Sequence, residues 1–258
     1  MCRMFFMCSL EPFYMDYKIL KLFVKSCHWR YLRRYDLLGH HGLGWGFAYL
    51  SENDNKLVIK RDITPIYHAD WEGLTKIRTR FLLVHARKTV PWKKSLENVH
   101  PININEKYLI THNGIIKKFP SEHLKNSSLN KIYNETDLDT RKYLCSIINE
   151  LQNGKNLKIS LENIFKSIEI GAGANAFLFN SQTCNVITNH KSNFNGRHHA
   201  LFLCKNHKDI LVSTTPLTRS AKEIPNHSLI EINLTDLSLN MVKLEFLIKF
   251  KIKIKKNL

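Results

Sequence analysis

The sequence predicts an α+β fold in which two β-sheets pack face to face with helices on their outer sides. Short apolar runs bounded by turn residues occupy both ends of the chain, and helical periodicity is confined to a stretch after Asp16 and to the middle. Strands and helices do not alternate one for one, as a parallel βαβ fold would require. With 258 residues, 43% hydrophobic and 24% charged, the chain can bury a substantial core and has the composition of an ordinary globular protein. Residues 1–258 are read as one domain with a basic tail at about 245–258.

Met4 to Leu10 reads as a buried strand that Glu11 and Pro12 end. From Asp16, the residues Ile19, Leu20, Phe23, Val24 and Cys27 recur at three and four positions, with Lys18, Lys21 and Lys25 between them, as on an amphipathic helix. "GWGFAYL" and "KLVIK" flank the turn-forming "ENDN" as a strand pair, and "RFLLVHAR" and "KYLITHNGIIKK" complete a β-rich first half. Thr136 caps a helix that runs to Leu151, and a shorter helix covers Ser160 to Ile168. "NAFLFN", "CNVITN", "HALFLC", "DILVST" and "SLIEIN" return the chain to strands. The tail "LEFLIKFKIKIKKNL" alternates apolar residues with Lys, so its first part is read as an edge strand defended by lysines.

The 39 Lys and Arg against 22 Asp and Glu give +17. These charges are scattered and mostly Lys, without a basic stripe, so nucleic acid is not the expected partner. Arg3 followed by the run to Leu10 is at the short limit for a signal peptide and lacks a small-residue cleavage site. No stretch reaches the roughly eighteen apolar residues that span a bilayer, so no membrane partner is expected. The six cysteines (Cys2, Cys8, Cys27, Cys145, Cys184, Cys204) form no C-x-x-C pair. The expectation is a soluble, cytoplasmic protein without a metal or other cofactor.

Several motifs carry chemistry. Loss of Met1 makes Cys2 the N-terminus, where a thiol and an α-amine share one residue; α-amines titrate near neutrality, at about 7.7 to 8.0, which lets one serve as a base. Gly42, Gly44 and Gly46 invite a phosphate loop, but no G-K-[ST] follows and a strand comes next. Asn113-Gly114 between apolar runs is a hairpin signal, and its simplest account is a type I′ turn. His40-His41 and His198-His199 are adjacent pairs whose side chains generally point apart, and no metal is assigned to them.

Taken in order, "MCRM", "HHGLGWGFAYL", "HAR" at a strand end, "N-x-H-P", "HNG" and "TD" opening a helix form a series between Cys2 and Asp137. It resembles the class II glutamine amidotransferases, which include the glutaminase domains of glucosamine-6-phosphate synthase and of phosphoribosyl-pyrophosphate amidotransferase. The stand-alone members, which typically begin "MCR" and contain "DGWG", are most similar. The resemblance implies an N-terminal-nucleophile hydrolase fold, a four-layer αββα sandwich of two antiparallel sheets. It also implies that Cys2 attacks the glutamine side-chain amide, and that Asn113 and Gly114 form the oxyanion hole. Arg87 would hold the substrate α-carboxylate and Asp137 its α-ammonium, with His85, His100 and His112 as supporting residues.

The chain departs from that pattern in places. Leu43 stands where the family usually has Asp before "GWG", Thr136-Asp137-Leu138-Asp139 replaces "TDSE", and Thr214-Thr215-Pro216-Leu217 replaces "SEPL". The function implied is hydrolysis of glutamine to glutamate and ammonia through a Cys2 thioester. The chain is too short for a further synthase domain, so an ammonia-accepting partner subunit is expected. Two alternatives remain open: a hydrolase of another γ-glutamyl amide or peptide, and a non-catalytic basic protein that binds nucleic acid.

Overall fold

A computed structural model of the chain describes residues 2–28, 40–88, 94–105, 107–121, 124–191 and 199–246. The elements in the first half are β1 (Arg3–Tyr14), α1 (Tyr17–Cys27), β2 (Trp45–Leu50), β3 (Leu57–Asp62), β4 (Arg78–Ala86), β5 (Ile102–Ile104) and β6 (Tyr108–Lys118). Three helices follow: α2 (Ser127–Glu135), α3 (Asp139–Gln152) and α4 (Leu157–Ser167). The chain then forms β7 (Glu169–Phe179), β8 (Thr183–Thr188), β9 (Phe202–Lys205), β10 (Asp209–Ser213), β11 (Lys222–Glu223), β12 (Ser228–Asn233) and β13 (Leu239–Lys243).

The strands form a seven-stranded sheet, β11-β9-β10-β1-β4-β2-β3, and a six-stranded sheet, β13-β12-β8-β7-β6-β5, with antiparallel neighbours. Side chains alternate between faces along each strand, and the core divides accordingly. Met4, Phe6, Phe81, Leu83, Ala48, Leu109, Phe177 and Val186 fill the space between the sheets. Phe5, Leu82, Val84 and Trp45 point the other way and pack with Leu20, Phe23 and Val24 of α1. On the far side, Ile110, Ala176 and Leu178 meet Tyr143, Leu144, Ile147 and Ile148 of α3 and Leu161 of α4. The order helix, sheet, sheet, helix is the predicted αββα sandwich. Each fully buried Phe or Leu contributes roughly 1.5–3 kcal/mol to holding it together.

The Asp16 signal is realised directly: its side chain accepts from Lys18 N and Ile19 N and starts α1. Other boundaries differ from expectation. Glu11 and Pro12 do not end β1, which shifts register between Cys8 and Phe13 and continues to Tyr14. Asn113-Gly114 is not a turn, because β6 runs straight through it with Asn113 opposite Asn175 and Gly114 opposite Ala174. The long partner strand outweighs the local dipeptide preference. Thr136 holds a turn by accepting from Leu138 N, so α3 begins later, at Asp139. Helix α2, capped by Asn126, was not anticipated. The edge strand expected in the tail lies earlier, at β13; residues 244–246 are not strand, and 247–258 are outside the described residues, as is His198.

Candidate active site

The alternation that builds the core also gathers the proposed site at one end of the sandwich. Met4, Phe81, Leu83 and Leu109 face the space between the sheets. Continuing the alternation by two residues at a time, Cys2, His85, Arg87 and Asn113 face the same space. Met4 pairs with His85 and Arg3 with Ala86, so Cys2 and Arg87 come together where β1 begins and β4 ends. Arg87 N donates to Gly44 O at 2.9 Å and Leu43 N to Arg87 O at 3.3 Å, which extends the ladder beyond Ala86. The glycine segment therefore supports Arg87. Gly44 has φ +104, and a Cβ there would sit 2.5 Å from Asp62 O, so only glycine fits.

Arg87 is half-buried, and its Nη1 has no hydrogen-bond partner among the described residues. Burial disfavours its charge, while neighbouring Cys2 and Asp139 favour it. A buried guanidinium nitrogen without a partner beside a free thiol suits an anionic group arriving from solvent. Cys2 is partly exposed, as a nucleophile must be. The Cys8 and Cys27 thiols are instead pushed up to about 12, chiefly by burial, and are inert.

Asn113 is fully buried, yet neither Oδ1 nor Nδ2 has a hydrogen-bond partner among the described residues. The register settles the direction of the next backbone donor. Ala174 N donates to Asn189 O at 2.7 Å, toward β8. The odd-numbered residues 175 and 177 therefore turn their backbone groups toward β6, where Asn113 and Thr111 meet them. Gly114, one residue on, turns its N–H away from β7, past the end of β5, whose last pair is Ile102 with Ile110. His112 O points the same way and accepts from His85 Nε2 at 3.3 Å across the sandwich. An unpaired side-chain amide and an outward backbone N–H thus occupy adjacent residues, the requirement for stabilising an oxyanion. Gly114 also permits close strand contact, since a Cβ there would overlap Gly173 O and approach His112 Nε2 to 2.6 Å.

The three histidines form one buried group. The rings of His85 and His100 stack at 4.3 Å. His100 Nε2 and His112 Nδ1 lie 2.8 and 3.1 Å from Thr140 Oγ1, and His112 Nε2 lies 3.2 Å from Gly173 O. Asp139 stands beside the same hydroxyl and ring, its Oδ1 3.4 Å from Thr140 Oγ1 and its Oδ2 3.8 Å from His112 Nδ1. Burial pushes the His85 pKa down to about 3 and holds His100 well below its ordinary value. These rings brace the strand bearing Asn113.

Asp137 is exposed between α2 and α3. Asp139, which sequence reasoning did not single out, lies within the electrostatic reach of Arg87. It accepts from Ile116 N at 3.0 Å and Thr140 N at 2.7 Å, tying α3 to β6 just beyond Gly114. Its only sequence signal was its place two residues after Asp137. Among the described residues, no group of three or more His, Cys, Asp or Glu is placed to hold a metal ion. No helix among them is long and apolar enough to cross a membrane.

The sequence family described as glutamine amidotransferases class-II matches residues 7–183. A comparison by sequence with curated proteins finds no match. Among solved structures, the chain is similar to the glutamine phosphoribosylpyrophosphate (PRPP) amidotransferase from B. subtilis, with TM-score 0.61 and 14% identity over 95% of this chain and 49% of that one. A glutamine aminotransferase class-II domain protein from Silicibacter pomeroyi gives TM-score 0.58 and 13% identity, covering 95% of this chain and 100% of that one. A predicted glutamine amidotransferase from Pseudomonas aeruginosa PA01 gives 0.55 and 14%, covering 92% and 99%. The chain thus spans about half the length of the PRPP amidotransferase and the full length of the smaller proteins.

Proposed function

The chain belongs to the class II glutamine amidotransferases, and we propose that it hydrolyses the side-chain amide of glutamine through Cys2. The observation that carries this reading is the unpaired Asn113 amide, with the Gly114 N–H turned away from β7 beside it, at the end of the sandwich where Cys2 meets Arg87. In the proposed reaction, removal of Met1 frees the Cys2 α-amine. The thiol proton passes to that amine through a water as Sγ bonds to the amide carbon. Negative charge collects on the amide oxygen, where Asn113 and Gly114 donate to it. Collapse of this intermediate breaks the C–N bond, and the leaving nitrogen takes a proton and departs as ammonia. Water then attacks the γ-glutamyl thioester, giving glutamate and restoring the thiol.

Arg87 binds the substrate α-carboxylate and Asp137, open to solvent, its α-ammonium. Holding both groups fixes the amide against the thiol, an effect that can supply several kcal/mol of the barrier reduction, up to about 7–11. We read residues 1–258 as one amidotransferase domain that passes ammonia to a separate acceptor-using subunit, and its free thiols suit the cytoplasm.

The test is ammonia and glutamate release by the purified chain from glutamine and from γ-glutamyl peptides, with Cys2→Ala in parallel. Release from glutamine that Cys2→Ala abolishes supports the reading. Faster release from peptides would move the substrate to another γ-glutamyl amide, and undiminished release by Cys2→Ala would overturn the nucleophile.

A further inference from the structure

The contact between β1 and β10 beside Cys2 departs from a regular ladder. The pairing runs from Ser9 with Asp209 to Phe5 with Ser213, where the regular ladder ends, and Thr214 then meets Met4. Thr214 N donates to Met4 O at 3.0 Å, as the ladder requires. The return bond is different: Met4 N donates to the Thr214 hydroxyl at 3.1 Å in place of its carbonyl. That carbonyl accepts from Arg3 Nη1 at 2.8 Å. Ser213 Oγ donates to Thr215 O, so β10 turns away from β1 at this point. Thr214 is 1% exposed, and its hydroxyl bonds to the backbone of a residue 210 positions away.

From this geometry we propose that Thr214 is a positioning residue for the Cys2 nucleophile. The inference rests on the reading of Cys2 given above. A strand end that must present a free terminal residue to substrate cannot also be covered by a continuous neighbour. The Thr214 hydroxyl resolves this by satisfying Met4 N–H while its own carbonyl swings out to Arg3. Residues 3 and 4 are therefore held on both sides, by β4 and by Thr214, and the pairing of β10 with β1 stops short of residue 2. A misplacement of about 1 Å in a reacting group can lower a rate by about a hundredfold, so such a clamp acts on turnover more than on binding.

The experiment compares full-length wild type, Thr214→Val, Thr214→Ser and Cys2→Ala by steady-state glutamine hydrolysis and by the rate of Cys2 alkylation with iodoacetamide. Thr214→Val preserves shape and removes the hydroxyl. We expect its kcat to fall about tenfold to a hundredfold with KM within about twofold of wild type, and Cys2 alkylation to change in rate. Thr214→Ser should restore kcat to within about threefold. A Val variant with wild-type kcat, or a Ser variant as impaired as Val, overturns the proposal. If Thr214→Val does not fold, Thr214→Ala replaces it in the comparison with Ser. Failure of both to fold would assign Thr214 to stability alone and overturn the proposal too. Cys2→Ala as active as wild type would remove the Cys2 reading itself, and the role of Thr214 with it. Loss of activity in Cys2→Ala beside a normal Thr214→Val would remove only the role of Thr214.

Discussion

Asn113 and Asn175 stand opposite each other across the ladder of β6 and β7, both fully buried, and their amides have opposite fates. Asn175 donates to His199 O and accepts from Asn189 N, joining β7 to the segments around it. Asn113 has no partner for either amide atom among the described residues. A buried amide left unpaired costs free energy of about 1–3 kcal/mol, so its retention calls for a role outside folding.

Asn113→Ala should therefore separate activity from stability. Removing an unpaired buried amide loses no hydrogen bond, so denaturant unfolding should give a stability within about 1 kcal/mol of wild type or above it. Losing an oxyanion donor should lower kcat about a hundredfold to a thousandfold. Normal turnover in this variant would remove Asn113 from the chemistry. Asn113→Asp is a poorer probe, because it would bury a carboxylate at a fully enclosed position.

Gly114 should be intolerant of any side chain for a packing reason. A Cβ at this position overlaps Gly173 O, so β6 and β7 would have to separate. Gly114→Ala should destabilise by about 2 kcal/mol or more. Gly73→Ala should be nearly neutral, since its nearest neighbour would be Asp70 Oδ2 at 3.4 Å. Thermal melts of the two variants check the contrast, and equal melting temperatures would contradict it.

Acid should weaken the fold through the buried histidines. With its folded pKa near 3, His85 stays neutral in the native state while an unfolded histidine takes up a proton below about 6.5. Its contribution is flat above about pH 6.5 and becomes steadily destabilising as pH falls toward 3, reaching about 2 kcal/mol at pH 5. His100 acts in the same direction. Urea unfolding at pH 7 and pH 5 should show this loss, and unchanged stability would mean that the rings are not buried neutral.

The +17 charge should yield only general attraction to nucleic acid. Binding to nonspecific DNA at physiological salt should be no tighter than about 10⁻⁴ to 10⁻⁶ M and should weaken steeply with added salt. A nanomolar, sequence-selective complex would instead support a nucleic-acid-binding role.

The parts of this fold readable from sequence are those set by local chemistry. The apolar and charged residues after Asp16 announced α1, and the runs from Met4 and in "RFLLVHAR" announced the two strands that carry Cys2 and Arg87 at their ends. The path through Asn113-Gly114 was read two ways, as part of the strand "KYLITHNGIIKK" and as a turn, because the dipeptide signals a turn locally while its strand state comes from pairing with residues about sixty positions away. Thr214 was noticed only as a departure from the family pattern, and Thr140 not at all, for a similar reason. The contacts of each come from partners distant in sequence, Met4 for one and His100 and His112 for the other. Asp139 was obscured by Asp137, the residue that the family pattern singles out.

The central claim is that Cys2, with its own amine free, forms a γ-glutamyl thioester. The most direct test is the mass of the natively expressed protein, intact and after digestion, acid-quenched during turnover with glutamine. The account predicts a chain lacking Met1 that carries one γ-glutamyl group on Cys2, and no such group in Cys2→Ala. Retention of Met1 in the active protein, or a γ-glutamyl group on any other residue, would contradict it.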